Sequence, residues 1–458
     1  MIRMMIDFID RKVELDRLSL LSGIKSPPFV VIVGRRRVGK TRLIQEFLSQ
    51  INQSCYFFVE EKKPQVLLNE FSAILGEGKS FIGWDGFLRH VLSSFDVVVI
   101  DEFQNFSRVD SSFFSTLQKV LDEGTHSAML VVVGSYMGMM KKIFEDTRSP
   151  LFGRASEIWH LPPLPIKDTL NNIKGTIAER ITIYSMFGGY PKYYVILDQY
   201  GTWKPEKIIR ELIVHKYAPL SMEPYNILLM EFGGEYRTYF SILEAIAIGK
   251  VSYVDIANFI GMSTTTLHRY LEDLISFGVI ERRFPVTEGP RSRKSRYFIS
   301  DQFVRFWFRY IFPHRDRIES ERYQILNKKI LLDLPNFVSW EFEQLVRSMV
   351  SDRFTKVGPW WNRRGDEIDL VAFDDTKKLV LFGEIKWTSR KVGWKSVRDL
   401  IEKADLVPKP ESCNQKYLFV SKSGFSDRCI DQMDQDGIIH WDLKDIESFI
   451  SGAEMPEI

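Results

Sequence analysis

Residues 29–33, FVVIV, form an uninterrupted apolar run rich in β-branched side chains, the pattern of a strand buried on both faces. A glycine-punctuated loop follows, and then an apolar-periodic stretch that predicts a helix. The same strand pattern returns at 97–100 and 130–133, with amphipathic stretches between. Strands alternating with helices predict a parallel α/β sheet. From about 166 to 229 the β runs give way to helical periodicity, interrupted by GGYP at 188–191, which predicts a helical lid after the sheet. Residues 238–301 read as three short helices (TYFSILEAIAIG, YVDIANFIG, STTTLHRYLEDLISFG) and a strand pair, VIERRFPV and RYFIS, around the turn GPRSRK. That is the order of a winged helix-turn-helix. Ser263 is suited to cap the third helix, whose apolar face is Leu267, Leu271, Leu274 and Ile275, leaving Thr264, Thr265, His268 and Arg269 outward. An aromatic helix, QFVRFWFRYIF, leads to Pro313 and the charged stretch HRDRIESER, and beyond it strands and helices alternate again. The fold class expected is multidomain α/β: a sheet core over 1–165, a helical lid over 166–229, a winged helix over 230–312 and a separate α/β unit over 313–458.

At 458 residues the chain has room for about three domains. Hydrophobic residues at 45% and charged residues at 27% match ordinary globular usage and argue against wholesale disorder. Lys and Arg number 62 against 60 Asp and Glu, a net charge of +2, so any surface for a polyanion must be local. Cys55, Cys413 and Cys429 show no paired spacing, and the seven histidines are scattered, which removes disulfide and zinc frameworks from consideration. The opening MIRMMIDFIDRKVELDRL is amphipathic rather than signal-like, and no apolar run approaches the ~18–20 residues of a membrane span. A cytoplasmic protein with no membrane contact is expected.

Residues 34–41 read GRRRVGKT, the P-loop pattern, after a buried strand and at the opening of a helix. Gly34, Arg35, Arg36, Arg37, Val38, Gly39, Lys40, Thr41 and Arg42 are the nucleotide-binding residues expected from it. The glycines let backbone amides face the phosphates, the Lys40 ammonium neutralises β/γ oxygens, and the Thr41 hydroxyl is a Mg²⁺ ligand. Downstream, FDVVVIDEFQ ends a strand in Asp101, placed for the magnesium, and Glu102, placed to polarise the attacking water. The strand LVVVGS ends in Ser135, either a turn serine or a hydrogen-bond donor to the water or γ-phosphate. Arg154, in PLFGRA, is either a solvated surface arginine or a fixed cation for the transferred phosphoryl group.

The segments FIDRKVEL (8–15), GRRRVGKT, VVVIDEFQ, VVVGS, LFGR and GGYPKYY stand in the order found in the archaeal and prokaryotic P-loop ATPases of the AAA+/STAND group. The chain resembles that group over about 230 residues. The resemblance implies ATP and Mg²⁺ as cofactors and ATP hydrolysis as the activity. It also sets Asp10 and Arg11 near the adenine, Gly189 and Pro191 beside the base, and Ser135 and Arg154 at sensor positions.

The hairpin that follows the third helix carries Arg282, Arg283, Arg291, Arg293, Lys294 and Arg296, cations suited to DNA phosphates, while the outward residues of the helix suit base edges. In STAND-type ATPases a unit of this kind also serves as a packing element that clamps the nucleotide domain. The sequence is compatible with both roles.

The stretch GDEIDLVAFDDTKKLVLFGEIKW predicts two strands joined by a polar turn, with Glu384 and Lys386 on one face and Ile385 and Trp387 on the other. A turn centred between Thr376 and Lys377 sets Asp369 opposite Glu384. Converging carboxylates suit Mg²⁺ or Mn²⁺, and a neighbouring lysine can bind phosphate and orient a water. Glu343, in the helix WEFEQLVRSM, is the further acid, with Glu341 competing for the position. This constellation resembles the PD-(D/E)XK nuclease superfamily, and FE, VGPWWNR, EIDLVA and GEIKW resemble a C-terminal domain of unknown function found fused to archaeal ATPases. The resemblance implies a restriction-endonuclease-like domain with Asp369, Glu384 and Lys386 catalytic and Glu343, Asp369 and Glu384 as metal ligands. A charged strand face with ordinary salt bridges, and a nuclease fold that binds DNA without cutting, are the other readings. The function expected is an ATP-driven switch or motor that acts on DNA. The rival is a signalling or assembly ATPase whose C-terminal domain is a non-catalytic interaction module for a protein partner or a second copy.

Overall fold

The protein is described by a computed structural model covering residues 10–76, 78–410, 412–453 and 458. Phe8 and Ile9, the start of the segment expected near the adenine, lie outside the described residues. Five parallel strands make the first sheet: β1 (Phe29–Val33), β2 (Ser54–Phe58), β3 (Val97–Asp101), β4 (Met129–Gly134) and β5 (Glu157–His160), in the order β2-β3-β4-β1-β5. β1, β3 and β4 are buried at every position, as continuous apolar runs predict for central strands covered on both faces. β2 and β5 flank them; β2 mixes buried with accessible positions and β5 alternates half-buried with exposed ones, so their sequences, SCYFF and EIWH, lack the run that marks the others.

One apolar cluster, built from residues between Phe29 and Leu151, covers one face of this sheet. The second cluster starts at Leu18, takes in the other face, and continues without a break to Ile450. It therefore crosses each of the boundaries expected at 165, 229 and 312. The helix Ile177–Phe187 opens on a capping box between Thr176 and Glu179, and Pro191 opens the helix Pro191–Gln199 at its first turn, where its missing N–H costs nothing.

Three helices follow, Tyr236–Ala247, Tyr253–Ile260 and Thr264–Ser276, the last two capped by the Ser252 and Ser263 hydroxyls. Leu267, Leu271 and Leu274 are wholly buried. β6 (Ile280–Arg283) and β7 (Arg296–Ile299) then pair antiparallel. The C-terminal sheet has β8 (Lys356–Trp361), β9 (Glu367–Asp374), β10 (Leu379–Lys386), β11 (Asn414–Ser421) and β12 (Ile439–Trp441), in the order β12-β11-β10-β9-β8. β8, β9 and β10 are antiparallel, and β11 and β12 add in parallel. The β9–β10 register pairs Asp374 with Leu379 and Leu370 with Gly383, centring the turn between Thr376 and Lys377.

The hairpin lies against this second sheet. The Val286 amide donates to the Pro359 carbonyl at 2.9 Å, the Trp361 indole to the Lys294 carbonyl at 2.9 Å, and Arg296 pairs with Glu367 at 3.0 Å. The helix Leu443–Ile450 returns to the helices that follow the first sheet, where Arg180 meets Glu447 at 2.7 Å and Asn171 donates to the Ile450 carbonyl at 2.8 Å. Among the described residues no helix is long and apolar enough to cross a membrane.

Candidate functional site

The sheet order brings the loop after β1, the end of β3 and the tip of β4 to the same carboxyl edge, where open α/β sheets hold ligands. A cavity of about 530 Å³ opens there. Its floor is the loop 36–39 and the start of the helix Lys40–Leu48. Gly39 has φ +100°, a left-handed conformation in which a side chain would be strained, and this turn aims the first free amides of the helix at the cavity.

At one end of the cavity stand Arg36, Lys40, Thr41, Glu102 and Ser135. Lys40 is buried, and its ammonium donates to the carbonyls of Gly34 at 2.6 Å and Arg35 at 3.1 Å. Burial pulls its pKa down to about 8 against the attraction of Glu102 and Asp101, and Arg36 adds repulsion. The Thr41 hydroxyl donates to Asp101 Oδ2 at 2.9 Å, and Asp101 Oδ1 accepts the Glu102 amide at 2.8 Å. A hydroxyl and a carboxylate this close are hard oxygen donors that fit Mg²⁺. Glu102 has φ 53°, a left-handed backbone uncommon for a residue with a side chain. Its Oε2 accepts the Ser135 hydroxyl at 2.6 Å and the Gln104 amide at 2.5 Å. The Lys40 ammonium at the start of a helix, the Glu102 carboxylate after β3 and the Ser135 hydroxyl after β4 are thus brought to one cavity from three different elements.

The other end is lined by Arg11, Val38, Leu164, Pro191, Lys192 and Val195. Arg11 is buried and fixed by the Pro162 carbonyl at 2.5 Å, with Val38 O at 3.4 Å. Asp10 is exposed and is not among the lining residues. Gly189 lies behind the wall rather than in it: a β-carbon there would stand 2.1 Å from the Leu164 carbonyl oxygen, so glycine permits the backbone approach that sets Leu164 and Pro191 in place. Gly34 likewise supports the loop and does not line the cavity.

Two further expected positions, Arg154 and Arg35, fall outside the cavity wall. Arg154 forms a two-pronged pair with Asp122, both contacts at 2.9 Å, on the protein surface, and is not in the cavity wall. Its partner on the neighbouring helix decides its direction. Arg35 turns away from the cavity to Asp301, at 3.1 Å, and Tyr190, at 3.4 Å. Arg37 lines the cavity but is paired with Glu223 and lies over the Tyr193 ring. Arg42, also at the rim, is 3.6 Å from Glu46.

Several neighbours of the site have no motif in the sequence. The Tyr56 hydroxyl donates to Asp101 Oδ2 at 2.7 Å, and Phe58 and Asn105 line the cavity. Tyr56 and Phe58 sit on β2, and the parallel register that pairs Phe58 with Asp101 is the signal that finds them. Glu231, on the helix Glu223–Phe232, is raised to about 7 by burial although Arg35, Arg36 and Lys40 pull it down.

In the C-terminal domain, Asp369 Oδ2 accepts the Ile385 amide at 2.8 Å, which ties it to β10 beside Glu384. Glu384 is buried and paired with Lys386, and Arg347 donates to the Asp369 carbonyl and lies 3.4 Å from Glu343. Burial raises Asp369 and Glu343, with added repulsion from Glu384 on the first and from Asp369 on the second. Glu341 belongs to a different contact: it is buried against Arg305 at 3.0 Å. Glu343 is therefore the helical acid beside Asp369. With Lys386 and Arg347 between the acids, no group of three or more His, Cys, Asp or Glu side chains is drawn together closely enough to hold a metal ion among the described residues.

Of the hairpin cations, Arg283 is paired with Glu281 and stacked 4.7 Å from the Trp340 ring, Lys294 is paired with Glu288, and Arg296 is held by Glu367. Arg282 donates to the Ser292 carbonyl at 3.3 Å. Arg291 and Arg293 stay exposed, as do Thr264, Thr265, His268 and Arg269. If this face meets DNA, replacing Arg291 and Arg293 by alanine should reduce the log–log salt slope of binding by about two units, with little added by Lys294→Ala. A titration of fluorescent duplex at several salt concentrations measures it, and an unchanged slope would assign the hairpin to packing alone.

A family profile for an AAA domain matches residues 26–170, and a family described as archaea bacterial proteins of unknown function matches residues 307–397. An uncharacterised protein of Methanocaldococcus jannaschii is 31% identical over 419 residues, which are 87% of this chain and 92% of that protein. Among solved structures, a RuvB variant of Thermotoga maritima is similar with a TM-score of 0.34 and 17% identity, covering 64% of this chain and 93% of its own. A STAND protein with a tetratricopeptide repeat sensor from Pyrococcus horikoshii gives a TM-score of 0.29 and 14% identity, covering 76% of this chain and 50% of its own. Likenesses at these scores carry no argument about activity.

Proposed function

This chain belongs to the AAA-domain P-loop ATPases whose C-terminal part falls in the family described as archaea bacterial proteins of unknown function, and from that premise we propose that it hydrolyses ATP and uses the cycle to control engagement of DNA. The observation that carries the reading is the convergence of Lys40, the Thr41–Asp101 pair and the Glu102–Ser135 pair at one end of the cavity. The phosphates rest on the loop amides, and Lys40 leaves its carbonyl partners for the β/γ oxygens. Thr41 and Asp101 would hold Mg²⁺, which supplies charge neutralisation on those oxygens. Glu102 orients the attacking water and accepts its proton, and Ser135 fixes the carboxylate that does so. The base lies between Val38, Leu164, Pro191 and Val195. Residues 1–165, 166–229, 230–312 and 313–458 act in this scheme as sheet core, lid, winged helix and nuclease-like domain.

DNA engagement rests on the exposed start of the helix Thr264–Ser276 and on Arg291 and Arg293. In the C-terminal domain, Asp369, Glu384 and Glu343 would serve as ligands of Mg²⁺ or Mn²⁺ once Lys386 and Arg347 release Glu384 and Glu343 and the acids draw together, with Lys386 then free to bind phosphate. A second reading, a C-terminal domain that binds without cutting, is favoured by the Glu384–Lys386 and Glu343–Arg347 pairs, which occupy the acids with the protein's own cations.

The full chain incubated with supercoiled and linear DNA, with and without Mg²⁺, Mn²⁺ and ATP, separates them. Metal-dependent cleavage that Asp369→Ala and Glu384→Ala each abolish while ATP turnover persists supports the nuclease centre. Turnover stimulated by DNA without cleavage supports the binding module. Turnover indifferent to DNA, with no DNA binding at low salt, would leave the protein an ATPase switch for another partner.

A further inference from the structure

Three successive arginines follow Gly34, and their side chains have different fates. Arg35 is tied to Asp301 and Arg37 to Glu223. Arg36 alone of the three makes no ion pair among the described residues. It lines the cavity at the end that holds Lys40, Glu102 and Ser135. Its guanidinium lies 5.1 Å over the Tyr136 ring and donates through Nη2 to the Tyr136 hydroxyl at 2.9 Å, while its Nε is buried with no acceptor. Tyr136 is itself buried and adjoins Ser135 at the tip of β4. A planar cation stacked on a fixed ring loses little freedom when it meets an anion, and a buried donor without an acceptor costs free energy until a ligand supplies one.

Phosphoryl transfer calls for such a group. The water oxygen bonds to the γ-phosphorus as the bond to the β–γ bridging oxygen breaks. The bond's electron pair leaves with ADP, and the water proton goes to Glu102. Negative charge on the equatorial and bridging oxygens must be met while this happens. Arg154, the arginine that the sequence suggests for this duty, is held by Asp122 outside the cavity.

We propose that Arg36 is a catalytic residue of ATP hydrolysis, a guanidinium supplied by the P-loop of the same chain that contacts the γ-phosphoryl oxygens, oriented by its stack on Tyr136. The assignment rests on the ATPase reading. Tyr136 acts as a positioning residue, holding Arg36 and touching no reactant.

The test compares ADP with the transition-state mimic ADP–aluminium fluoride, both titrated calorimetrically in Mg²⁺ against the full chain, alongside steady-state turnover. Wild type should bind the mimic far more tightly than ADP. Arg36→Gln should lose that advantage by about 100-fold or more and lower kcat by a similar factor, with ADP affinity changed by only a few-fold, because an electrostatic donor of this kind acts on the transition state. Arg36→Lys, which keeps the charge without the fork, should fall between, and it stands in for Arg36→Gln if that variant does not fold. Arg154→Ala should match wild type in both titrations. Equal losses for ADP and the mimic would make Arg36 a ground-state binder and overturn the proposal. So would a preserved mimic advantage in Arg36→Gln, or its loss in Arg154→Ala instead. A wild type that neither turns over ATP nor binds ADP would defeat the ATPase reading itself, a result distinct from any of these.

Discussion

Lys40→Ala should lower ATP turnover by roughly 10³-fold and weaken nucleotide binding, because its ammonium is the buried cation that exchanges two loop carbonyls for β/γ oxygens. Glu102→Gln should separate the two effects, retaining MgATP affinity while slowing hydrolysis, since Thr41 and Asp101 stay intact as the water loses its proton acceptor. The protonation of Lys40 gives an independent check. With its pKa lowered to about 8 in the nucleotide-free protein, the charged form that phosphate prefers prevails below pH 8 and is lost above it. MgATP affinity should therefore fall as pH rises past about 8 in the wild type and be flatter in Lys40→Ala. A variant with wild-type turnover would remove Lys40 from the mechanism.

The largest expected loss of stability lies far from the nucleotide. Glu341 is buried and Arg305 is largely so, with charges 3.0 Å apart but off the hydrogen-bonding line, and Arg305 is stacked 4.1 Å from the Trp340 ring. Glu341→Ala strands the guanidinium and should cost about 3–5 kcal/mol in denaturant unfolding, much of which the double change of Glu341 to Leu and Arg305 to Met should recover. Glu343→Gln should behave in the opposite way. Burial and the Asp369 charge raise Glu343 against the pull of Arg347, so its contribution is fully present below the ordinary carboxylate range and is lost as pH climbs through its raised value. Metal-free wild type should lose stability over that window, and Glu343→Gln, a neutral stand-in for the protonated acid, should flatten the slope at little cost near neutrality. Equal destabilisation by the two substitutions would mean that their environments have been misassigned.

Glu341 and Glu343 show where the sequence stops being sufficient. Two residues apart on a helix, they point about 200° from one another, so only the position of the sheet relative to the helix decides which acid meets Asp369. The P-loop and the Asp101–Glu102 strand end were readable because their chemistry is contiguous and bound to a strand-to-helix transition. The β9–β10 register was readable too, since one turn sets it. Tyr56 was not, because its approach to Asp101 depends on which strand lies beside β3, and β2 carries only a half-buried pattern. The directions of Arg35 and Arg37 depend on Asp301 and Glu223, acids far along the chain. Arg154 followed the same rule: its motif suggested a reactive cation, and Asp122, invisible as a partner until the helices are in place, took it to the surface.

The two apolar clusters on the first sheet also differ in when they can be finished. The cluster between Phe29 and Leu151 needs only the early part of the chain, whereas the other draws its last members, Ile446 and Ile450, from the helix Leu443–Ile450. At ~5–20 residues per second, a ribosome leaves roughly 15–60 s between the two. During that interval the nascent protein carries a sheet whose first cluster is finished and whose other face is already met by the helices holding Leu18, Leu43 and Phe47, while the remainder of that second cluster still lacks its last partners. A holding chaperone that engages this unfinished apolar surface in that window would therefore act on the yield of the protein before any effect on its activity.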